Sequence, residues 1–497
     1  MKHLKTIIYS ISLVSAFLIS SGINLSAQQY NTMYHLDLIP QSNQINPAFQ
    51  GDCGFYLGMP GAAPHMQFSS GLTFGDFFYN HQNTNPRFDS TVLFLYNRDY
   101  QDMFLNRMDE MENLFETEFA LNYLSLGFQV NKFFFSLDHN IKMDGVFNIS
   151  SDLPRFILRG NANENWDPIS YDFSNTDVQM RAYHELGIGV SYQYDEKWTF
   201  GIRPKIYHGL ANISMYDQNI RLNSTDSTTG IVSDFGISTS VPTAYIDESD
   251  TTLAFDDDVS SSDIINTILG NSGLGIDLGA TYQYDDKITL SASIIDLGYI
   301  KWDNRSFEVN YSTDYTYEGT DITGMIEGDD TTDVTFMDEL SDSLETALDQ
   351  NPQSSPFRTN MYGKLYLGAS YQLYPWLKFG VLSRTQVKNS SLRQQLTLST
   401  NLKAWKLASF ALSYTMMNNT YNNLGIGFSL KPGPLNFYLV ADKAFYGLDK
   451  IESGDDAPLD FPVSSVPHSL KNISFRFGFN LMFGCKEPNQ PEEPILE

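Results

Sequence analysis

The clearest pattern in this chain is a strict alternation of apolar residues with small or polar residues between positions 185 and 205. The apolar positions are Leu186, Ile188, Val190, Tyr192 and Tyr194, followed after a short turn by Trp198, Phe200 and Ile202. The positions between them are Glu185, Gly187, Gly189, Ser191 and Gln193, then Thr199, Gly201, Arg203 and Lys205. Successive side chains of a β-strand point to opposite faces, so the pattern predicts two strands, each with one apolar wall and one small or polar wall.

The same strand, turn and strand pattern recurs along the chain. The copies are LGIGVSYQYDEKWTFGIRPK at 186–205, IDLGATYQYDDKITLSASII at 276–295 and LYLGASYQLYPWLKFGVLSR at 365–384, with looser copies at 124–142 and 424–443. Solenoid repeats follow one another without gaps, and these copies do not. We therefore predict recurrent hairpins within one larger sheet.

Two kinds of β-protein fit this alternation, a soluble β-sandwich and a transmembrane antiparallel β-barrel. The barrel is favoured because the alternation lasts about nine or ten residues, which a tilted strand needs to cross a bilayer. Short connections also alternate with long ones, and aromatic residues gather at the turn end of the apolar wall, as in outer-membrane barrels. The predicted aromatic girdle is Tyr192, Tyr194, Trp198, Tyr282 and Tyr284. The predicted lumen-facing residues are Gln193, Arg203, Lys205, Asp277 and Gln283.

The first 27 residues have the parts of a secretory signal peptide. A basic MKHLK precedes an apolar run, and small residues end at Ala27, which predicts cleavage after that residue. A signal anchor is the alternative, although the apolar run is short for a membrane helix. With a barrel to follow, the expected location is integral to the cell outer membrane, with membrane lipid as a partner.

The net charge of the chain limits the binding partners that we expect. The chain has 31 basic and 59 acidic residues, a net charge of −28, which argues against a nucleic-acid partner. Acidic residues are concentrated at 245–263 and at 303–357. We expect both stretches to be solvated outer loops, with a short helix near 338–349.

Two local patterns predict further elements. MFLNRMDEMENLF at 103–115 places Phe104, Met108, Met111 and Phe115 at helical spacing, which predicts an amphipathic helix that either packs on the barrel or lies at the membrane interface. At 294–296 the alternation slips, which predicts a β-bulge.

No enzyme motif is present. The chain has no GxSxG, HExxH or P-loop pattern, and His184-Glu185 and the other histidines lack metal-ligand spacing. The acidic run DDDVSSSD lacks the spacing of a calcium loop. The sequence therefore predicts a protein that is not an enzyme and that needs no cofactor or metal.

The two cysteines stand at opposite ends of the predicted barrel. Cys53 precedes the first strand and Cys485 ends the last one, NISFRFGFNLMFG at 472–484. The first and last strands of a closed barrel are neighbours, so a disulfide at this seam is possible in an oxidising compartment. Two unpaired thiols are the alternative.

The segment LIPQSNQINPAFQG at 38–51 fits neither a strand nor a helix. Together with the recurring YQ hairpins and the aromatic last strand, it resembles the Bacteroidota outer-membrane barrels that are grouped with FadL-type channels and with the PorP/SprF and PorV proteins of type IX secretion and gliding. The residues of this segment that carry the resemblance are Pro40, Gln41, Ser42, Asn46, Pro47, Ala48 and Phe49. The resemblance implies a barrel of about 14 strands with the N-terminal segment folded inward as a hatch. A disordered leader is the alternative.

The predicted organisation is therefore a signal peptide at 1–27, a hatch at 28–53, a barrel at 54–484 and a tail at 485–497. Three functions remain open. The main hypothesis is an accessory or scaffold component of an envelope machine, which contacts other envelope proteins through its loops or hatch. The alternatives are a FadL-like transporter of small hydrophobic molecules and a secreted soluble β-rich adhesin. The polar residues assigned to the inner wall favour the scaffold.

Overall fold

The structure is a computed structural model. It describes residues 31–485 except 37, 52, 59–63, 71, 73–75, 82–89, 111–112, 161–166, 226–227, 248–251, 257, 318–349, 389–390, 405–406, 418–422, 443–447, 451–464 and 468–471. The predicted signal peptide, the predicted helix near 338–349 and residues 486–497 of the predicted tail lie outside the described residues.

The described part of the chain is almost entirely β. The strands are β1 Cys53–Gly58, β2 Pro64–Ser70, β3 Phe78–His81, β4 Ser90–Leu93, β5 Leu114–Val130, β6 Phe133–Asn148, β7 Ile169–Asp172, β8 Asp177–Gln193, β9 Trp198–Ser224, β10 Thr229–Ser240, β11 Ala244–Asp247, β12 Thr252–Phe255, β13 Ser272–Gln283, β14 Ile288–Trp302, β15 Ser306–Tyr317, β16 Gln350–Ser354, β17 Phe357–Asn360, β18 Lys364–Tyr374, β19 Leu377–Lys388, β20 Ser391–Ala404, β21 Ala408–Met417, β22 Leu424–Leu430, β23 Leu435–Ala441, β24 Leu448–Lys450, β25 Ser465–Pro467 and β26 Asn472–Cys485. The helices are α1 Arg98–Glu110, α2 Asp152–Arg159 and α3 Ser261–Gly270.

The main sheet forms one closed antiparallel barrel with 14 strand positions. Three separate two-stranded sheets are β3–β4, β11–β12 and β24–β25. The order around it is β1/β2, β5, β6, β8, β9, β13, β14, β17/β18, β19, β20, β21, β22, β23 and β26. Strand β26 pairs with β1 and β2 and so closes the barrel, with Cys53 opposite Cys485 and His65 opposite Arg476. The predicted all-β antiparallel barrel is thereby confirmed.

The two ends of the barrel differ. The turn end carries the short hairpin connections together with Cys53 and Cys485. These connections are 131–132, 194–197, 284–287, 375–376, 405–407 and 431–434. The opposite loop end carries the long connections, although those after β19 and β21 are short. In outer-membrane barrels the end with short turns faces the periplasm.

The outer wall of the barrel is apolar. Side chains such as Ile188, Phe200, Leu274 and Leu367 point outward and are each 46–60% exposed. A soluble protein seldom exposes so wide an apolar band, whereas an outer-membrane barrel presents one to lipid. The fold is therefore that of an integral outer-membrane protein. No helix among the described residues is long and apolar enough to cross a membrane.

One part of the sheet extends beyond the barrel at the loop end. Strand β9 has 27 residues, and its upper part pairs with β7 and β10, after which β10 pairs with β15 and β15 with β16. Several barrel strands are thus longer than the nine or ten residues that the alternation predicts. The sequence pattern records only the part of each strand that has an apolar outer face.

Three local predictions can be compared with the structure. The predicted helix at 103–115 instead spans Arg98–Glu110, and Phe115 belongs to β5. Its Phe104 and Met108 pack in a small apolar cluster at the loop end. The acidic stretch 245–263 contains the β11–β12 hairpin and the start of α3, so it is not simply a loop.

The bulge predicted at 294–296 is confirmed. Ile276 pairs with Leu297 and Leu278 with Ile294, so two residues of β14 lie opposite Asp277. One of these two residues, Asp296, has φ of +60°. This bulge turns the Asp296 side chain into the lumen.

Candidate functional site in the barrel lumen

Residues 31–51, which we call the luminal segment, lie inside the barrel. They form two short 3₁₀ turns, Thr32–His35 and Pro40–Gln44. Pro40 is the first residue of the second turn, where its fixed φ and missing N–H suit a helical start. Between the turns, Leu38 has φ of +68°, a left-handed conformation that costs a leucine about 1–2 kcal/mol.

All seven residues that carry the N-terminal resemblance are in this segment. Gln41 and Asn46 are buried and bonded: Gln41 Nε2 donates to Asn480 Oδ1 at 2.5 Å, and Asn46 Oδ1 accepts from the Ala48 N–H at 2.9 Å. The Ser42 carbonyl accepts the backbone N–H of Ile45 at 3.0 Å. The remaining members of the set are Pro40, Pro47 and Phe49. Since these polar groups find partners inside the barrel, the irregular backbone can lie at membrane depth.

One half of the lumen packs against the segment through apolar side chains. The cluster joins Met33, Tyr34, Leu36, Ile39 and Ile45 of the segment to Ile295, Tyr366, Leu382, Ala411, Tyr438 and Val440 of the wall. Tyr34 stacks on Tyr366 with ring centroids 5.8 Å apart and meets Phe49 edge-on at 5.1 Å. The residues that the sequence assigns to the inner wall are small or polar, and this cluster adds the apolar Leu382 and Val440 to that wall, beside buried polar residues such as Gln395 and Ser413.

Glycines of the inner wall provide the space for the segment. A Cβ added at these positions would overlap atoms of the segment. At Gly201 it would meet Pro47, and at Gly279 it would meet Asn46. The other positions are Gly368 against Tyr34, Gly380 against His35 and Gly425 against Thr32. Gly201, Gly279 and Gly368 belong to the three recurrent hairpins. The small residues of the repeat thus form a seat for the segment.

The other half of the lumen is filled by buried charges around Lys205. Its Nζ lies 2.5 Å from Asp296 Oδ1, 2.8 Å from Asp277 Oδ2 and 3.3 Å from Glu185 Oε2. Lys364 Nζ reaches the second Asp296 oxygen at 3.0 Å. Buried charges persist only when opposite charges and hydrogen bonds compensate the loss of hydration, and this arrangement provides both.

Arg203 extends the same network toward β6. Its guanidinium nitrogens lie 3.5 Å from Glu185, 3.6 Å from Asp277 and 3.9 Å from Asp138. Asp138 also accepts a hydrogen bond from Gln44 Nε2 of the luminal segment at 2.8 Å. The network therefore holds one side of the segment as well as six neighbouring strands, β6, β8, β9, β13, β14 and β18.

The sequence identifies only part of this network. Arg203, Lys205 and Asp277 are predicted as lumen-facing and are at most 2% exposed. Asp138 and Asp296 are missed as site residues. Asp138 lies in a looser copy of the hairpin, and Asp296 turns inward only because of the bulge. The sequence signal that could have found Asp138 is a charged residue at the inner position of that copy.

Gln193 and Gln283 lie elsewhere, at the turn end. They line a cavity of about 660 Å³ that lies beneath the luminal segment. The segment contributes apolar side chains to this cavity, namely Leu36, Leu38, Ile39 and Phe49, and Met482 comes from the wall. Ligand pockets typically measure roughly 300–1,000 Å³, so the cavity is large enough for a small molecule.

The five predicted girdle residues all lie at the turn end of the outer wall. Trp198 packs on Tyr282 with ring centroids 4.5 Å apart. The ring centroids of Tyr192 and Tyr194 are 6.5 Å apart, and those of Tyr282 and Tyr284 are 6.4 Å apart. The rings thus form a contiguous group across β8, β9 and β13.

The two cysteines are joined. Cys53 Sγ and Cys485 Sγ form a disulfide across a sequence separation of 432 residues. The bond lies two residues beyond the luminal segment, so it fixes the lower end of the segment to the barrel seam.

No group of three or more His, Cys, Asp or Glu side chains in the described part of the chain is arranged to hold a metal ion.

Comparison with known proteins gives a family and a set of similar structures. A family described as being of unknown function, DUF5723, matches residues 47–442. No curated protein matches the chain. The toluene transporter TbuX of Ralstonia pickettii is 10% identical over 94% of this chain and 97% of its own, with a TM-score of 0.40. A FadL homologue of Pseudomonas aeruginosa is 10% identical over 94% of this chain and 100% of its own, also with a TM-score of 0.40. The toluene transporter TodX of Pseudomonas putida is 9% identical over 92% of this chain and 93% of its own, with a TM-score of 0.34.

Proposed function

We propose that this chain, which belongs to the DUF5723 family of unknown function, is an outer-membrane conduit for small molecules with apolar bodies, and that its luminal segment is the gate. In this proposal the segment moves away from the apolar half of the wall, and a solute crosses where the segment was. TbuX and TodX are toluene transporters, and we do not extend that substrate to this chain.

The cavity beneath the segment is the observation that carries this proposal. About 660 Å³ of space lies between the turn end and a ceiling formed by the luminal segment, in which Leu36, Leu38, Ile39 and Phe49 lie beside the polar Ser42 and Gln50. The walls below this ceiling are mostly polar. An apolar solute that reaches this ceiling gains by leaving water, by about 25 cal/mol for each Å² of apolar surface buried. Leu36, Ile39 and Phe49 also form part of the contact with the wall, so a bound solute can replace the contacts that the segment loses.

The division of the lumen favours movement on one side. The network around Lys205 and Arg203 ties β6, β8, β9, β13 and β14 together through buried ion pairs. Separating these charges leaves them uncompensated, at a cost of about 3–5 kcal/mol for each broken pair. The apolar cluster itself contains no ion pair. Outside that cluster, buried pairs of Lys388 and Arg393 with Glu116 join β19 and β20 to β5, so the path of lower cost runs along the cluster.

The other two hypotheses, an accessory role and a soluble adhesin, have less support. The accessory role in a secretion or gliding machine depends on the N-terminal resemblance and on a polar inner wall, and the apolar cluster against the segment weakens the second of these. The outward apolar band argues against a soluble adhesin.

Locking the segment to the wall tests the proposal. Thr32 Oγ1 lies 2.6 Å from Ser413 Oγ inside the lumen, so Thr32→Cys with Ser413→Cys places two thiols within bonding reach. We would express this variant in an outer membrane and follow influx of the apolar dye N-phenyl-1-naphthylamine. Oxidation is expected to reduce influx to the level of cells without the barrel, and reduction is expected to restore it.

Wild-type cells treated with the same oxidant and reductant are the control, because the reductant also reaches Cys53 and Cys485. The single variant Thr32→Cys controls for loss of the hydroxyl pair. Heat-shifted migration on gels reports that each barrel is folded. Influx that is the same in the locked and unlocked states of a folded barrel would overturn the proposal.

A further inference from the structure

A row of polar side chains crosses the outer wall at the loop end of the apolar band. It consists of His184, His208, Ser272, Lys301 and Arg358, and we call it the interface row. Each member is the register partner of the next, on the adjacent strands β8, β9, β13, β14 and β17. No repeat pattern in the sequence brings these five residues together, because they come from distant parts of the chain.

The row faces outward. His208 shares its side of β9 with Ile202 and Ile206, and both of these apolar side chains are exposed. Ser272 is in the same alternation as Leu274 on β13, which is 60% exposed. Apolar residues therefore lie directly below the row on the membrane-facing wall.

The height of the row coincides with a membrane boundary. Ten residues of β9 separate Trp198, in the aromatic group at the turn end, from His208. At about 3.3 Å per residue this is about 33 Å along the strand, or about 25 Å along the axis for a strand tilted by about 40°. The apolar band of outer-membrane barrels is about 25 Å tall, so the row lies at the level of the outer headgroups.

The chemistry of the row suits an anion. Lys301 and Arg358 carry positive charge, and Arg358 lies over the Tyr299 ring with 3.7 Å from its Cζ to the ring centroid. Lys301 pairs with Asp303 at 2.8 Å, but both side chains are exposed. An exposed pair of this kind is weak, so Lys301 can exchange this partner for another anion.

The histidines have unused hydrogen-bonding groups. Tyr123 Oη lies 3.0 Å from His139 Nε2 and 3.4 Å from His184 Nδ1, so Tyr123 contacts both rings, and Nε2 of His184 has no hydrogen-bond partner among the described residues. His208 Nδ1 is buried and has no hydrogen-bond partner among the described residues. Imidazoles in an apolar surround are costly unless something binds them.

The turns of these strands at the opposite membrane boundary are net acidic. On the same strands the turns at the turn end are Asp195-Glu196-Lys197 and Asp285-Asp286-Lys287, each with two acidic residues and one basic residue. A chain with a net charge of −28 thus places two cations and two imidazoles in one row at the level of the outer headgroups, with the exposed carboxylate of Asp303 beside Lys301.

We propose that the interface row binds the phosphate-bearing, anionic headgroup of a lipid in the outer leaflet. Arg358 and Lys301 pair with the phosphate oxygens, since charge-assisted hydrogen bonds to phosphate are the strong ones. His184, His208 and Ser272 contribute hydrogen bonds along the same row. The site is independent of the gate, because it lies on the outer wall.

The test is lipid retention by the purified full-length barrel in detergent. Native mass spectrometry would follow titration with dioleoylphosphatidic acid, with dioleoylphosphatidylcholine as the zwitterionic comparison. Lys301→Gln with Arg358→Gln is expected to weaken binding of phosphatidic acid about tenfold or more. Lys301→Arg with Arg358→Lys keeps both charges and is expected to retain most of the affinity.

The matched control is Lys197→Gln with Lys287→Gln, which removes two cations from the opposite boundary of the same strands. We expect this variant to bind like the wild type, and an equal loss in both pairs would overturn the proposal. Excess inorganic phosphate is expected to leave the lipid bound. Displacement by free phosphate would also overturn a lipid site. A heat shift on gels verifies that every variant is folded.

Discussion

Gly201 of β9 lies directly against the backbone of Pro47, so closely that a side chain on the glycine would overlap the proline carbonyl group and the Ala48 nitrogen. Backbone atoms cannot move aside as the end of a flexible side chain can. This one contact links the recurrent hairpins of the wall to the N-terminal segment, and it makes the size of residue 201 a control on the position of the segment.

We therefore predict that Gly201→Ala displaces the luminal segment around Pro47. Influx of the apolar dye should rise severalfold, and limited proteolysis should cut the segment faster than in the wild type. Gly230→Ala is the control, because the nearest atom to a Cβ there is 3.8 Å away. Unchanged influx and proteolysis in a folded Gly201→Ala barrel would show that the seat does not position the segment.

Substitutions of Tyr34 provide a second test of the gate. Tyr34→Ala removes the ring that packs on Tyr366 and Phe49, a loss of about 3–5 kcal/mol by analogy with other buried aromatic residues, and should open the gate. Tyr34→Phe removes only the hydroxyl group, which donates to Ser291 Oγ and accepts from Asn46 Nδ2, at about 1 kcal/mol for each bond, and should keep the gate closed. Dye influx distinguishes the two, and the prediction fails if both variants behave alike.

The charged half of the lumen should be needed for stability. Lys205→Met leaves Asp277, Asp296 and Glu185 without their shared cation, which is expected to lower the free energy of unfolding by about 3–5 kcal/mol. Guanidinium unfolding in detergent measures the change. The exposed pair provides the comparison: Lys301→Met should cost less than about 1 kcal/mol. Similar small losses in both variants would contradict a tightly buried network.

The disulfide should stabilise the closed barrel. Cys53→Ser with Cys485→Ser frees the junction of β1 with β26, and a cross-link over so long a loop is worth about 2–5 kcal/mol. We expect a lower unfolding midpoint in guanidinium. Reduced wild-type protein should match the variant, and a midpoint that neither reduction nor substitution changes would count against this role.

The alternation of residues predicts much of the architecture. From Leu186 to Lys205 it predicts the strands, the turn and the two walls. Alternate residues of a barrel strand face lipid and the lumen, so apolar residues mark one face and small or polar residues mark the other. Arg203, Lys205 and Asp277 are assigned to the inner wall for the same reason. The aromatic residues near the turns are placed in the same way, from Tyr192 to Tyr284.

Where the alternation breaks, the sequence fails to place residues. Asp296 is one of the two bulge residues of β14 that lie opposite Asp277, so its inward direction depends on the register with β13. Leu382 and Val440 face inward although they are apolar, because the luminal segment, rather than water, covers them. A rule that equates polar with inner cannot anticipate a lumen that is itself filled by protein.

The sequence by itself determines the class of this protein, since local alternation reports which side of each strand meets lipid. Only the tertiary structure decides how the lumen is divided into an apolar and a charged half, and which of its residues touch the segment. The same holds for the row from His184 to Arg358. Those relationships depend on register between strands that are far apart in the chain, and register is set by the closure of the whole barrel rather than by any short stretch of residues.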